Sequence, residues 1–131
     1  MSSSSRLRVA VVGGGASGLL VAVQLLRRAR RPLEIRLIER RGALGHGVAY
    51  GTRCPAHLLT VPAARMSALP EDPGHFVAWL RARAGRPGFP ASVTEGDYLP
   101  RSLYGDYLAA LYADAREASS SEAVVHEEQA E

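Results

Sequence analysis

The segment Val9-Ala10-Val11-Val12-Gly13-Gly14-Gly15-Ala16-Ser17-Gly18 restricts the fold of this chain more than any other. A continuous apolar run ends in a G-x-G-x-x-G turn, the pattern of a buried strand that passes through a phosphate-binding loop into a helix. Each glycine answers a separate steric demand. Gly13 permits a tight exit from the strand, Gly15 keeps a backbone amide unobstructed, and Gly18 lets the helix lie close to the sheet. The expected helix, Ala16 to Arg30, has no acidic residue in its first turn, carries Arg27, Arg28, Arg30 and Arg31 at its far end, and stops at Pro32. Its C-terminal dipole is therefore compensated while its N-terminus stays available to an anion. A charge at a helix end contributes only about 0.3–1 kcal/mol, so a diphosphate must be held by several backbone N–H donors acting together.

A second strand, about Glu34 to Ile38, delivers Glu39 at 21 positions beyond Gly18. That spacing places a carboxylate on the ribose 2′-hydroxyl of a dinucleotide. Strand, glycines, helix, stop and acid arrive in order, which is far more specific than the glycine fingerprint alone. The acid opposes a 2′-phosphate, and Arg40 and Arg41 directly behind it offset part of that opposition; an unphosphorylated ribose is the expectation.

With 131 residues and 47% hydrophobic composition the chain can build one domain with a real core. All sixteen of its Lys and Arg residues are Arg, which removes lysine Schiff-base and lysine general-base chemistry. Nine arginines against Glu34 and Glu39 make residues 1–41 the basic part of a chain whose net charge is +3. They cluster at a helix end and a strand edge without interleaved aromatics, which argues against nucleic acid as a partner. Cys54 is alone, so the chain has neither an internal disulfide nor a Cys-x-x-Cys redox pair, and a flavin disulfide reductase is disfavoured. A single thiol fits a reducing, cytoplasmic setting. Arg6 and Arg8 ahead of an apolar run resemble a signal peptide superficially, but the triple glycine interrupts that run. No uninterrupted stretch is long enough to span a bilayer, and no membrane partner is expected.

Ser2 to Ser5 read as a disordered lead, with residues 6–131 forming the domain. From Arg41 to Ala64 the Gly and Pro punctuation reads as a long ordered loop that packs through residues such as Val48, Tyr50, Leu59 and Met66. Asp72-Pro73 opens a helix through about Ala84 with Phe76, Val77 and Leu80 on one face. Ser102 caps a further helix whose stripe is Tyr104, Tyr107, Leu108, Leu111, Tyr112 and Ala115, read as ordinary core packing. Ser119 to Ser121 form a linker, and Ala123-Val124-Val125-His126 begins a third strand. His46, His57, His75 and His126 lack metal-ligand spacing with one another or with Cys54, so no metal is expected. They read as surface or capping residues, and no catalytic base is assigned. Ser17 does not stand in a G-x-S-x-G elbow, and no hydrolytic nucleophile is visible.

The motifs Gly45-His46-Gly47-Val48-Ala49-Tyr50-Gly51, His57-Leu58-Leu59-Thr60-Val61-Pro62-Ala63-Ala64-Arg65-Met66-Ser67, Asp72-Pro73-Gly74-His75-Phe76, Trp79-Leu80, Pro100-Arg101 and Tyr104-Gly105 with Tyr107-Leu108 resemble those of the FAD/NAD(P)-binding protein family. These are bacterial flavoproteins distantly similar to flavin-dependent N-hydroxylating monooxygenases, and the resemblance runs from about Arg6 to Leu111. It implies a Rossmann-like α/β fold, a parallel sheet with flanking helices, of which this chain is the amino-terminal, incomplete portion. FAD is the implied cofactor, its pyrophosphate on the turn formed by Gly13, Gly15, Ala16, Ser17 and Gly18, and its ribose on Glu39 with Arg40 adjacent. Gly47, Val48 and Tyr50, and then Met66 and Ser67, would lie near the flavin end. The resemblance leads one to expect Asn where Thr60 stands, which retains a hydroxyl but loses the amide's paired donor and acceptor. Family members are longer, and an NAD(P)H site would come from later sequence.

Two other readings remain open. An NAD-dependent dehydrogenase uses the same fingerprint and an equally good Glu39, but gives the Gly/Pro loop no role. A non-catalytic nucleotide-binding or interaction module would dock on a partner through the tyrosine-bearing helix, or associate through an uncovered sheet edge and apolar helix faces.

Overall fold

The computed structural model describes residues 5–40, 43–119 and 122–130. Most of the expected serine lead, the start of the loop at Arg41 and Gly42, and two residues of the Ser119 to Ser121 linker lie outside the described residues. Strand β1 (Leu7–Val12) pairs in parallel with β2 (Leu33–Glu39), Leu7 opposite Leu33 and Val12 opposite Ile38. On the other side of β2 runs β3 (Ala123–Gln129), also parallel, with Leu33 opposite Ala123 and Glu39 opposite Gln129. The order β1-β2-β3 with helical crossovers is part of a Rossmann-like α/β fold.

The two faces of the sheet differ because side chains alternate along a strand. Leu33, Ile35 and Leu37 of β2 are buried with Val11 of β1 in the core. Above them lies α1 (Ala16–Arg28), which buries Leu19, Ala22, Val23 and Leu26 on one helical stripe. Helix α4 (Arg101–Ala118) packs against α1 and buries Leu103, Tyr104, Tyr107, Leu108, Leu111, Tyr112 and Ala115. Its aromatic stripe is core, as the sequence suggests. Tyr107 is fully buried, with its ring centroid 4.8 Å from Phe76 and 5.5 Å from Trp79, both on α3 (His75–Arg81). The opposite face of the sheet carries a charge lattice centred on Glu34, which meets Arg8 at 3.4 Å, Arg36 at 3.8 Å and His126 at 3.9 Å.

Local endings depart from the sequence reading. Helix α1 ends at Arg28, because Ala29 already turns extended toward the entry of β2. Asp72 does not cap α3 with its side chain; Gly74 occupies that position, and the Asp72 carbonyl accepts the His75 N–H at 3.1 Å. Helix α4 begins after Pro100, so Ser102 lies inside its first turn. The loop contains a single helical turn, α2 (Gly47–Tyr50), and a 3₁₀ turn at Ala63–Arg65. Its later part pairs with the segment before α4, through Leu59 N–H to the Leu99 carbonyl and Ala63 N–H to the Asp97 carbonyl, each at 2.8 Å.

Beside β1 and α1 an apolar groove of about 700 Å³ is lined by residues that include Leu7, Leu20, Val21 and Leu25, with Arg28 and Arg31 at its rim. Among the described residues β1 pairs only with β2. No described helix is long and apolar enough to cross a membrane.

Candidate dinucleotide site

Gly13 leaves β1 at φ +99°, a conformation that side chains oppose, and its N–H closes the strand end onto the Ile38 carbonyl at 2.8 Å. Gly15 is the N-cap of α1, which has neither a side-chain cap nor an acid in its first turn. The helix end thus presents backbone amides rather than a satisfied capping box. Gly18 is obligatory for a different reason. A Cβ there would run into the Gly13 carbonyl oxygen, so the helix can approach the turn only without a side chain. Ser17 is exposed in the same first turn, next to Ala16.

The end of β2 brings Glu39 onto this turn, where Oε2 accepts the Gly14 N–H at 2.5 Å. The carboxylate therefore sits beside the amides that would meet the diphosphate, at the carboxyl end of the strands where such folds receive nucleotides. A cavity of about 170 Å³ there is lined by Leu37, Glu39, Leu44, Glu127, Glu128 and Gln129. Arg40 is exposed directly after the strand.

The chain then returns across the turn. Gly45 N–H bonds the Gly14 carbonyl at 2.7 Å, and a Cβ on Gly47 would stand 3.2 Å from Gly15 Cα. The segment from Gly45 to Tyr50 forms a roof against the glycine turn. Val48 is 81% exposed on it, and Tyr50 packs edge-on against Tyr104 of α4 at 4.9 Å. Burial pushes the Tyr104 phenol up to about 12, with smaller contributions from Tyr107 and Tyr50.

Met66 and Ser67 are built into another surface. Met66 closes the 3₁₀ turn, while Ser67 Oγ lies 2.6 Å from the Asp72 carbonyl and accepts the Leu69 N–H at 3.2 Å. Next to them Tyr107 accepts the Ala68 N–H at 3.2 Å, and its oxygen stands 2.7 Å from His75 Nδ1. Thr60 is exposed one residue beyond the buried Leu59. Direct contacts therefore join Gly13 to Gly18, Glu39 and Gly47, whereas Met66 and Ser67 face α3 and the middle of α4.

Sequence reasoning missed Gly14, Gly45 and His46 as parts of the site. The fingerprint treats Gly14 as a spacer, yet both its backbone groups are engaged and a Cβ would press within 2.8 Å of Glu39 and 2.7 Å of Leu44. The run of three glycines was the available signal. His46 is held at both nitrogens, Nδ1 at 3.0 Å from the Leu44 carbonyl and Nε2 at 3.0 Å from Asp106.

A family model described as FAD-NAD(P)-binding matches residues 10–131, nearly the whole chain. The protein belongs to this family. None of the curated proteins matches the chain. Membership in the FAD-NAD(P)-binding family makes a dinucleotide the ligand class of the domain. The uncapped start of α1, the glycine at each point of close approach and the carboxylate at the tip of β2 fit a diphosphate and a ribose.

Proposed function

We propose that this chain is the FAD-binding portion of a flavin-dependent oxidoreductase or monooxygenase. The pyrophosphate would rest on the Gly13 to Gly18 turn, with Gly15, Ala16 and Ser17 amides as donors, and Glu39 would hold the ribose. One observation carries this reading: an uncapped helix start and a carboxylate at the tip of the neighbouring strand converge on the same glycine turn. When bound, FAD supplies a ring system that accepts and passes on hydride or electrons. The protein's contribution is to bind, orient and shield. The Gly45 to Tyr50 roof favours FAD over NAD, because a dehydrogenase reading leaves that segment without a task.

Glu39, with Glu127 and Glu128 lining the same cavity, supports an unphosphorylated ribose despite the neighbouring Arg40. Absorbance spectra of the purified chain, followed by parallel titrations with FAD and NAD, test the assignment. Uptake of FAD with weak or absent NAD binding is expected; a colourless protein that takes up neither refutes it. Residues 6–131 would act as one unit in a reducing compartment, in keeping with the lone exposed Cys54. The outer edge of β1 supports strand-to-strand pairing of two copies, and sedimentation showing a monomer at high concentration would remove that idea.

A further inference from the structure

We infer that His46 is the positioning residue of the cofactor site, a protonation-dependent latch that fastens the Gly45 to Tyr50 roof to α4. The inference rests on the nucleotide reading above and extends it to a residue outside the glycine fingerprint. Five contacts define the latch. Gly45, at φ +85°, is wedged so tightly that a Cβ would meet Leu19 at 3.0 Å, the Gly105 carbonyl at 3.1 Å and the Ala109 nitrogen at 3.2 Å. The His46 ring lies on Gly105 of α4, where even a methyl group would strike its Cδ2. Its Nε2 reaches Asp106 and its Nδ1 reaches the Leu44 carbonyl. Its carbonyl accepts the Tyr50 N–H at 2.8 Å and so starts the helical turn that follows.

Both ring partners are acceptors, one a carbonyl and one a carboxylate, so the imidazole satisfies both only when each nitrogen carries a proton. The latch is complete in the cationic form. The charged group that faces the ring is Asp106 of α4, while Glu39 engages the Gly14 N–H of the neighbouring turn and Leu19 of α1 packs against Gly45. His46 also lines a cavity of about 390 Å³ with Ala43, Gly47, Val48, Gly51 and Thr52. The roof it holds touches Gly15, and loss of the ring proton releases one of the two bonds. Affinity for a dinucleotide should therefore be highest at acidic pH and fall between about pH 5 and 8.

The test uses the full chain with FAD, whose diphosphate diester does not itself titrate there. FAD affinity is measured between about pH 5 and 8 for the wild type, His46→Gln and Asp106→Asn. The wild type is expected to lose affinity several-fold across the interval, and both variants to bind about tenfold more weakly at the acidic end with a flattened profile. A flat wild-type profile, or an unchanged slope in His46→Gln, overturns the inference. Hydrogen exchange without ligand supplies an independent arm. Protection of the Gly45 and Tyr50 amides should drop in His46→Gln, and equal protection overturns the latch whether or not FAD binds. A chain that takes up neither FAD nor NAD overturns the nucleotide reading itself, and the exchange result distinguishes that failure from failure of the latch.

Discussion

Replacing Gly15 with alanine separates the cofactor geometry from the fold. Gly15 has φ −70° and ψ −166°, which any L-residue adopts, and an added Cβ would sit 3.7 Å from Gly47 Cα, an ordinary contact. Two small terms act on stability. Alanine is a poorer N-cap than glycine by roughly 0.5–1 kcal/mol, while the stiffer unfolded chain returns about 0.4–1 kcal/mol. The net is about zero, and the melting temperature should move by no more than about 2 °C. Binding is different, because in the proposed site the methyl group would stand where a diphosphate oxygen approaches the amide. Loss of one hydrogen bond to a charged oxygen costs about 1.5–3 kcal/mol, or roughly ten- to a hundredfold in affinity. Calorimetric titration with FAD beside a thermal melt reads both quantities. A Gly15→Ala protein that folds normally and binds FAD within about threefold of the wild type would show that the phosphates do not pass this amide.

Other perturbations give distinct signatures. Gly18→Ala drives a methyl into the Gly13 carbonyl, so it should cost about 3 kcal/mol or more and appear as a large drop in melting temperature or as insoluble protein. Glu39→Gln should weaken FAD binding about tenfold, and an FAD affinity equal to that of the wild type would take Glu39 off the ribose. Gly105→Ala should loosen the roof by displacing the His46 ring, and the loss should shrink when His46 is also alanine, as a double-mutant cycle would record. At high pH the buried Tyr104 matters. Its phenol, raised from 10.0 to about 12, favours the neutral native state, so its contribution is fully present below pH 10.0 and is lost as pH climbs toward 12. Alkaline unfolding followed by circular dichroism should therefore be steeper in the wild type than in Tyr104→Phe.

The elements built from local pattern were legible. β1 is legible as an apolar run ended by glycine, β2 as an alternating strand between Pro32 and Glu39, α1 by its apolar stripe ending in arginines, α4 by Tyr104, Tyr107, Leu108 and Leu111, and β3 by Ala123-Val124-Val125. Helix starts were less so, because Asp72 and Ser102 have capping chemistry while the neighbouring Gly74 and Pro100 settle where the helices begin. The site divides along the same line. Its glycine turn and Glu39 depend on short-range spacing, whereas the His46 to Asp106 contact spans sixty residues and leaves no trace in local sequence. Ser67 shows the converse: a polar residue in a recognisable motif whose hydroxyl is engaged by its own turn.

Besides packing on α1, helix α4 holds three other segments along its length. Asp106 holds the His46 ring, Tyr107 takes the Ala68 amide, and Tyr112 and Arg116 both grip Glu127 of the last strand. A rod gripped at three stations transmits a tilt. Seating a nucleotide beneath the roof would bear on α4 at Asp106 and, through Tyr112 and Arg116, on Glu127, which lines the cavity beside Glu39, so one helix would join the two ends of the candidate site.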